Sequence, residues 1–280
     1  MARFIHEGNG ARRIARRTTE FDVATERAEA TPFDDMCRVR IGTAGWSIPR
    51  GAAEMIPAGD THLHRYAQIL NAVEINSSFY RPHQQKTYAR WATTVPKSFR
   101  FAVKLPRTIT HESHLAPDSN ILEGFVAEVS GLSSRLGCLL VQLPPSLRFQ
   151  ALVAESFFTN LRRHVDAPVV CEPRHKSWFS DEAGELLKAF RVGRVVADPL
   201  ADPRGNEPAG DQTLIYVRLH GSPRMYYSKY DSPELKAWCK RLLESRNQGS
   251  SVWCIFDNTA EHAAIANALE LQSYARGKST

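Results

Sequence analysis

Glu172 and Arg174 close the apolar run Val169-Val170-Cys171, two residues apart with Pro173 between them. Side chains two apart on extended chain share a face, and a proline cannot donate to a ladder, so the run predicts a strand with an ionic tip. The design recurs in Leu214 to Gly221, where Ile215, Val217 and Leu219 form an apolar face and Tyr216, Arg218 and His220 share the other. In Ala72 to Ser78, Val73 and Ile75 alternate in the same way with Glu74, Asn76 and Ser78. Charges at strand tips must meet one another or a ligand, because an unpaired buried charge costs several kcal/mol.

The elements that would bring such tips together alternate along the chain. Strands are expected at Val39 to Trp46, Ala72 to Tyr80, Phe99 to Pro106, Leu136 to Pro145, Pro168 to Arg174, Arg194 to Asp198, Thr213 to Gly221 and Val252 to Asn258. Helices are expected at His62 to Leu70, Lys86 to Val95, Leu122 to Leu132, Val153 to Val165, Asp181 to Phe190, Pro233 to Ser245 with Ser232 as N-cap, and Glu261 to Arg276. The Pro/Gly/Asp-rich stretch Pro199 to Asp211 stands where a sixth helix would be. Strand-helix alternation implies parallel pairing through crossovers. Eight units over residues 38–280 predict one α/β domain, a (β/α)8 TIM-type barrel with a missing or degenerate sixth helix. An open doubly wound sheet is the alternative, and no G-x-G-x-x-G follows any strand to support its dinucleotide-binding form. Residues 1–37 are Arg-rich and poor in apolar positions, which predicts a poorly ordered, flexible N-terminal extension.

In such a barrel, alternate residues point inward and the chemistry gathers at the carboxyl ends of the strands. Alternation then places Glu74, Asn76, Lys104, Gln142, Glu172, Arg174, Asp198, Arg218, His220 and Asn258 around one mouth. Glu74, Lys104, Glu172, Asp198 and His220 are the candidate acids, bases and charge stabilisers. Substrate contacts are expected from Asn76, Gln142, Arg174, Arg218 and Asn258. The loops add Tyr80, His111, Trp178, Arg224 and Tyr226; Arg224 and Tyr226 lie in a Gly-Ser turn suited to a phosphate and a stacked ring. A structural ion network closing the barrel is the competing explanation of the same residues.

Composition narrows the classes. Hydrophobic content is 42%, enough for a sizeable core, and no apolar run approaches a membrane span. The five cysteines are scattered without C-x-x-C, as expected of buried thiols in a reducing cytoplasm. The formal charge is +6 and resides outside the N-terminal extension, favouring anionic partners. Ser77-Ser78-Phe79-Tyr80 lacks a nucleophile elbow. Retaining glycosidases on this fold use acids at strands four and seven, where Gln142 and His220 stand. A Schiff-base role for Lys104 is set aside because acids nearby oppose a fall in its pKa. No cofactor is expected and no metal ligand is assigned. A divalent metal on Glu172, Asp198 and His220 is an alternative against which Arg174 and Arg218 intrude.

Gly42-Thr43-Ala44-Gly45-Trp46-Ser47, Val73 to Tyr80, Phe101-Ala102-Val103-Lys104, Ile109-Thr110-His111, Gln142-Leu143-Pro144-Pro145, Glu172 to Trp178, Tyr216 to Gly221 and Phe256-Asp257-Asn258 together resemble the YecE-like family, domain of unknown function seventy-two. The resemblance runs from Arg38 to Leu271 and implies a (β/α)8 barrel; it implies no activity. The chain departs from the family pattern at Pro173, at Asp257 in place of an Asn, and at Glu261-His262 in a turn that often holds Gly. The expected function is a metal-independent acid-base enzyme, of hydrolase or lyase type, acting on an anionic, phosphate-bearing substrate. Arg218 and Arg174 would clamp the anion, Glu74 or Glu172 would act as base, and Lys104 or His220 as acid. Two alternatives stay open: a nucleic-acid binder or endonuclease-IV-like nuclease, and a barrel that binds a metabolite without turning it over. The oligomeric state is open.

Overall fold

The computed structural model describes residues 39–49, 53 and 56–277. The Arg-rich extension over residues 1–37 lies outside them. Among the described residues ten strands form one curled sheet: β1 (Val39–Ala44), β2 (Ala72–Ile75), β3 (Arg100–Lys104), β4 (Leu136–Gln142), β5 (Val169–Glu172), β6 (Val192–Arg194), β7 (Val196–Asp198), β8 (Ala209–Gly210), β9 (Leu214–Leu219) and β10 (Ser251–Phe256). Every pairing is parallel except that of β6 with β8.

β6 pairs with β5, whereas β7 pairs with β9. Only Val195 separates β6 from β7, so the two ends of the sheet are halves of one broken sixth strand and the cylinder closes there. Helices α1 (His62–Tyr66), α2 (Ser77–Tyr80), α3 (Gln85–Thr94), α4 (Ser119–Val129), α5 (Ala151–His164), α6 (Asp181–Ala189), α7 (Ser232–Asn247) and α8 (Ala263–Ala275) fill the crossovers. Between β7 and β9 there is only a 3-10 turn at Pro203–Asn206 and the short β8. Pro199, Pro203 and Pro208 withhold backbone donors there. Gly210, at φ +70°, sits so close to the Val192 carbonyl that a Cβ would lie 2.3 Å from it. The expected sixth helix is replaced by a strap laid along β6.

Two expected boundaries moved. The second strand stops at Ile75, because Asn76 turns to αR and Ser78 Oγ donates to the carbonyls of Ile75 and Lys104, starting α2. The cap of α7 is Asp231, not Ser232; Asp231 and Glu234 exchange side-chain bonds in a capping box, leaving Ser232 at the first helical position.

The sheet divides the core. Outside, one continuous cluster that includes Ile41, Val73, Phe101, Val141, Phe158, Val217 and Phe256 packs under the helices. Inside, Ala72, Ala102, Cys138, Leu140, Val170, Tyr216, Trp253 and Ile255 fill the cylinder. Tyr216 stacks on Trp253, ring centres 5.7 Å apart, near the middle of the inner cluster. Each such side chain withdrawn from water contributes on the order of 2 kcal/mol, so the lower barrel is a packed plug and only its carboxyl end can host chemistry. Cys138, Cys171, Cys239 and Cys254 are free, buried thiols, and burial pushes each up, away from reactivity. Among the described residues no helix is long and apolar enough to cross a membrane.

Candidate active site at the carboxyl end of the barrel

Directly above the plug stands Arg218, fully buried, with every guanidinium nitrogen engaged. Nε and Nη2 donate to the two oxygens of Glu74 at 3.0 and 2.6 Å. Nη1 donates to Glu172 Oε2 at 2.6 Å and to Gln142 Oε1 at 3.3 Å, and Nη2 also reaches Asp257 Oδ2 at 3.0 Å. Tyr216 adds its hydroxyl to Glu74 Oε2 at 2.8 Å. Residues from β2, β4, β5, β9 and the end of β10 therefore meet on one cation.

Glu172 links this cation to a second. Its Oε1 accepts from Arg174 Nε at 2.8 Å, is ion-paired with Nη2 at 2.7 Å, and lies 2.9 Å from His220 Nε2, which Nη2 also approaches to 3.1 Å. His220 Nδ1 lies 3.0 Å from Asp257 Oδ2, so both ring nitrogens face carboxylates. Burial alone would push Glu172 up, but Arg174, Arg218 and His220 outweigh it and hold the carboxyl well below its ordinary range. Asp257 is lowered too: Arg218 and His220 overcome its burial. Arg218 is held firmly protonated, because Glu172, Glu74 and Asp257 outweigh the burial that would discharge it.

These valences change the expected roles. Arg218 has no donor left for an anion, so it is the hub of the network and not the clamp. Glu74 and Glu172 each have both oxygens taken by guanidinium, which makes them poor proton acceptors. Spare capacity lies at the rim. Among the described residues Arg174 Nη1 has only the weak acceptor Met225 Sδ, 3.8 Å away, and the Tyr226 hydroxyl supports the same guanidinium. Lys104, the last residue of β3, is 8% exposed, and among the described residues no acceptor lies within hydrogen-bond distance of its ammonium. Its Nζ sits 3.9 Å from the centre of the Phe79 ring. Burial, reinforced by Arg218 and opposed by Glu74, Glu172 and Asp257, lowers Lys104 to about 8. The acids thus do not prevent the fall that was expected to be blocked. His111, on a π-helical turn at Thr108–Glu112, packs its ring against the same Phe79 with centres 4.8 Å apart. Burial, together with Lys104 and Arg107, lowers His111 to about 4, leaving a neutral imidazole at pH 7. Asn76 follows β2, whose Ile75 pairs with Val103, so it stands level with Lys104; its Oδ1 is buried without a partner among the described residues.

Of the residues expected at the mouth, Glu74, Gln142, Glu172, Arg174, Arg218 and His220 are joined by direct contacts, with Lys104, His111 and Asn76 beside them. Tyr226, with φ +71°, sets its ring edge against His220, centres 5.7 Å apart. Others stand apart. Asp198 accepts from the Tyr230 hydroxyl at 2.6 Å, on the same side of the sheet as Val196, because the broken strand turns that parity outward. Asn258 donates to Ser228 and Asn267, beside α8. Trp178 is buried, its indole N–H donating to the Leu147 carbonyl at 3.0 Å, which makes it a loop anchor and not a stacking wall. Tyr80 is largely exposed, and Arg224 lies over the Tyr227 ring at 3.7 Å. With Asp198 elsewhere, the set Glu172, Asp198 and His220 does not fit a metal; among the described residues no three His, Cys, Asp or Glu are grouped to hold one.

Two members of the site were not proposed from the sequence. Asp257 follows Trp253 and Ile255, both inside the barrel, so two-residue parity selects it over Asn258. Tyr216 shares the face of Arg218 and His220 and reaches Glu74 from below.

Comparison with known proteins places this geometry. The family model described as protein of unknown function DUF72 matches residues 40–280. The UPF0759 protein YunF of Bacillus subtilis is 25% identical over 264 residues, 83% of this chain and 93% of its own length. The UPF0759 protein YecE of Escherichia coli is 32% identical over 166 residues, 57% of this chain and 59% of its own length. A crystal structure of a DUF72 family protein from Thermotoga maritima superposes with a TM-score of 0.70 at 23% identity, covering 85% of this chain and 99% of that one. The chain belongs to the DUF72 family, and its fold is the α/β barrel of that family.

Proposed function

We propose that this DUF72 protein is an enzyme whose metal-independent acid-base site, at the carboxyl end of the barrel, acts on a small anionic molecule bearing a phosphate or carboxylate. The observation that carries the reading is the spare valence of Lys104 and Arg174 beside a network in which Arg218, Glu74 and Glu172 are saturated. Six charged side chains grouped for stability alone would be a poor solution, since apolar replacements of similar volume are often neutral or stabilising. Arg174, its Nε and Nη2 anchored on Glu172, offers Nη1 to the anion as a charge-assisted donor. Lys104, lowered to about 8, is close enough to neutrality to give a proton and take it back within one turnover. Glu74 and Glu172 hold Arg218, and through it the strand ends, in register.

The burial of these donors favours a small molecule over a duplex. Lys104 is 8% exposed and the Arg174 side chain 13%, depths that a free phosphate monoester reaches and a phosphodiester backbone does not. The test is binding of inorganic phosphate, followed by thermal unfolding across a phosphate series. The parent should gain stability with phosphate, and Arg174→Gln should need roughly tenfold more, the loss of one charge-assisted bond. If Arg174→Gln and Lys104→Met respond to phosphate as the parent does, the reading is wrong.

A further inference from the structure

An ammonium held in the wall of a barrel without an acceptor among the described residues is in an unusual state. A lysine normally keeps its charge in water or against a carboxylate; a buried polar group without a bond to replace its hydration is costly. Lys104 has Glu74, Glu172 and Asp257 nearby, yet Glu74 and Glu172 spend both oxygens on Arg218, Arg174, His220 or Tyr216, and Asp257 spends Oδ2 on Arg218 and His220. What lies against Nζ is the face of Phe79. Desolvation against an aromatic surface, next to a cation, is the setting that turns a lysine into a nucleophile.

Resting on the anion-site reading above, we infer that Lys104 is a covalent catalyst: its Nζ forms an imine with the carbonyl carbon of a substrate whose phosphate or carboxylate is held by Arg174. The neighbours suit each stage. The neutral amine attacks the carbonyl carbon, the C=O π pair moves to oxygen, and the oxygen takes a proton while the nitrogen loses one, giving a carbinolamine. Protonation of the carbinolamine hydroxyl then releases water as the nitrogen lone pair forms C=N. The departing water carries two protons, one from the attacking nitrogen and one that the resting ammonium gave up on becoming the neutral amine. Ammonium and carbonyl thus yield protonated imine and water with charge conserved, and no oxidant or reductant is required. His111 shares the Phe79 ring with Lys104 and is neutral, so it can carry the proton that leaves the nitrogen and return it to the departing hydroxyl. The buried Asn76 Oδ1, level with Lys104 and unmet, is a ready acceptor for the carbinolamine hydroxyl. Ser78 Oγ, bonded to the Lys104 carbonyl at 2.7 Å, pins the strand end that aims the side chain.

Lys104 is distinguished from an ordinary packed lysine by trapping. The full chain is incubated at pH 8 with dihydroxyacetone phosphate or pyruvate in the presence of sodium cyanoborohydride, and modified lysines are located by peptide mass spectrometry. Lys104 should be modified at least tenfold faster than any other lysine, and Lys104→Arg should lose that label. Arg174→Gln should slow trapping of these anionic carbonyls about tenfold while leaving formaldehyde, which carries no anion, unaffected. Absence of label on Lys104 while other lysines react would overturn the imine. Phosphate binding measured on the same samples separates the two claims. Arg174-dependent phosphate binding without trapping leaves the anion site standing and removes the imine, whereas loss of both removes both. Should Lys104→Arg fold poorly, competition decides: excess phosphate must slow labelling of Lys104 in the parent chain, and labelling indifferent to phosphate would refute the placement.

Discussion

Lys104→Met removes a charge that the fold holds at a cost, and the structure sizes that cost. The side chain is 8% exposed and its pKa falls to about 8 from an ordinary value near 10.5. At about 1.4 kcal/mol per tenfold change in proton affinity, the gap corresponds to about 3 kcal/mol of destabilisation when the lysine is protonated. The sign follows from linkage. Between pH 8 and about 10.5 the unfolded chain still holds a proton that the folded chain has released, so stability rises with pH across that window. Below pH 8 the cost is present in full; above about 10.5 it is gone. Methionine has similar length, no charge, and a sulfur that packs well against an aromatic ring such as Phe79. Lys104→Met should therefore raise the melting temperature at pH 7 by roughly 6 to 12 °C, at 2 to 4 °C per kcal/mol for a domain of this size. Urea unfolding of parent and variant at pH 7 and 10.5 checks this: the variant's advantage must shrink as pH rises. A variant less stable than the parent at pH 7, or an advantage independent of pH, would show that Lys104 is satisfied by contacts and would withdraw its role as a poised base.

Three other outcomes follow from the same network. Glu172→Gln leaves two buried guanidiniums short of an acceptor and should cost about 3–5 kcal/mol in urea unfolding, the usual penalty for breaking a buried pair from one side. Asp257→Asn keeps one acceptor oxygen for Arg218 or His220 and should cost less, about 1–3 kcal/mol, with phosphate binding retained. Because Glu172 and Asp257 are held low, their contribution is full above the unfolded carboxylate values near 4 and is lost only as pH falls towards their folded values. Urea midpoints should therefore change little from these two groups between pH 7 and 5 and drop below pH 4.

Much of the ring was legible because a strand repeats every two residues. Tyr216, Arg218 and His220 fall on one side of β9 and are found there. β10 is less legible: Val252 to Phe256 is apolar on both faces, so polarity does not reveal which parity faces the axis, and the inward residue is Asp257 and not the expected Asn258. Asp198 misled for a related reason, since its strand breaks at Val195, where pairing passes from β5 to β9. Valence was not legible at all. That Arg218 is saturated, and Lys104 left without an acceptor among the described residues, depends on which oxygens point where in space.

The charge balance of the ring argues for the identity of the group that is free to change. Glu74, Glu172 and Asp257 carry three negative charges, and Arg218 and Arg174 two positive ones, leaving His220 aside. Protonated Lys104 completes the balance, and a protonated imine on Lys104 preserves it. The neutral amine does not, leaving one uncompensated negative charge. The fold thus holds Lys104 between two unfavourable demands: burial against Phe79 disfavours its ammonium, and the surrounding acids disfavour its loss. A protonated imine meets both, because its positive charge is spread over carbon and nitrogen and is less strongly hydrated than an ammonium, so it loses less on burial. An anion on Arg174 strengthens the preference, adding a second negative charge that only a cation at Lys104 offsets. In this ring a bound anionic carbonyl compound should drive its own condensation with the lysine.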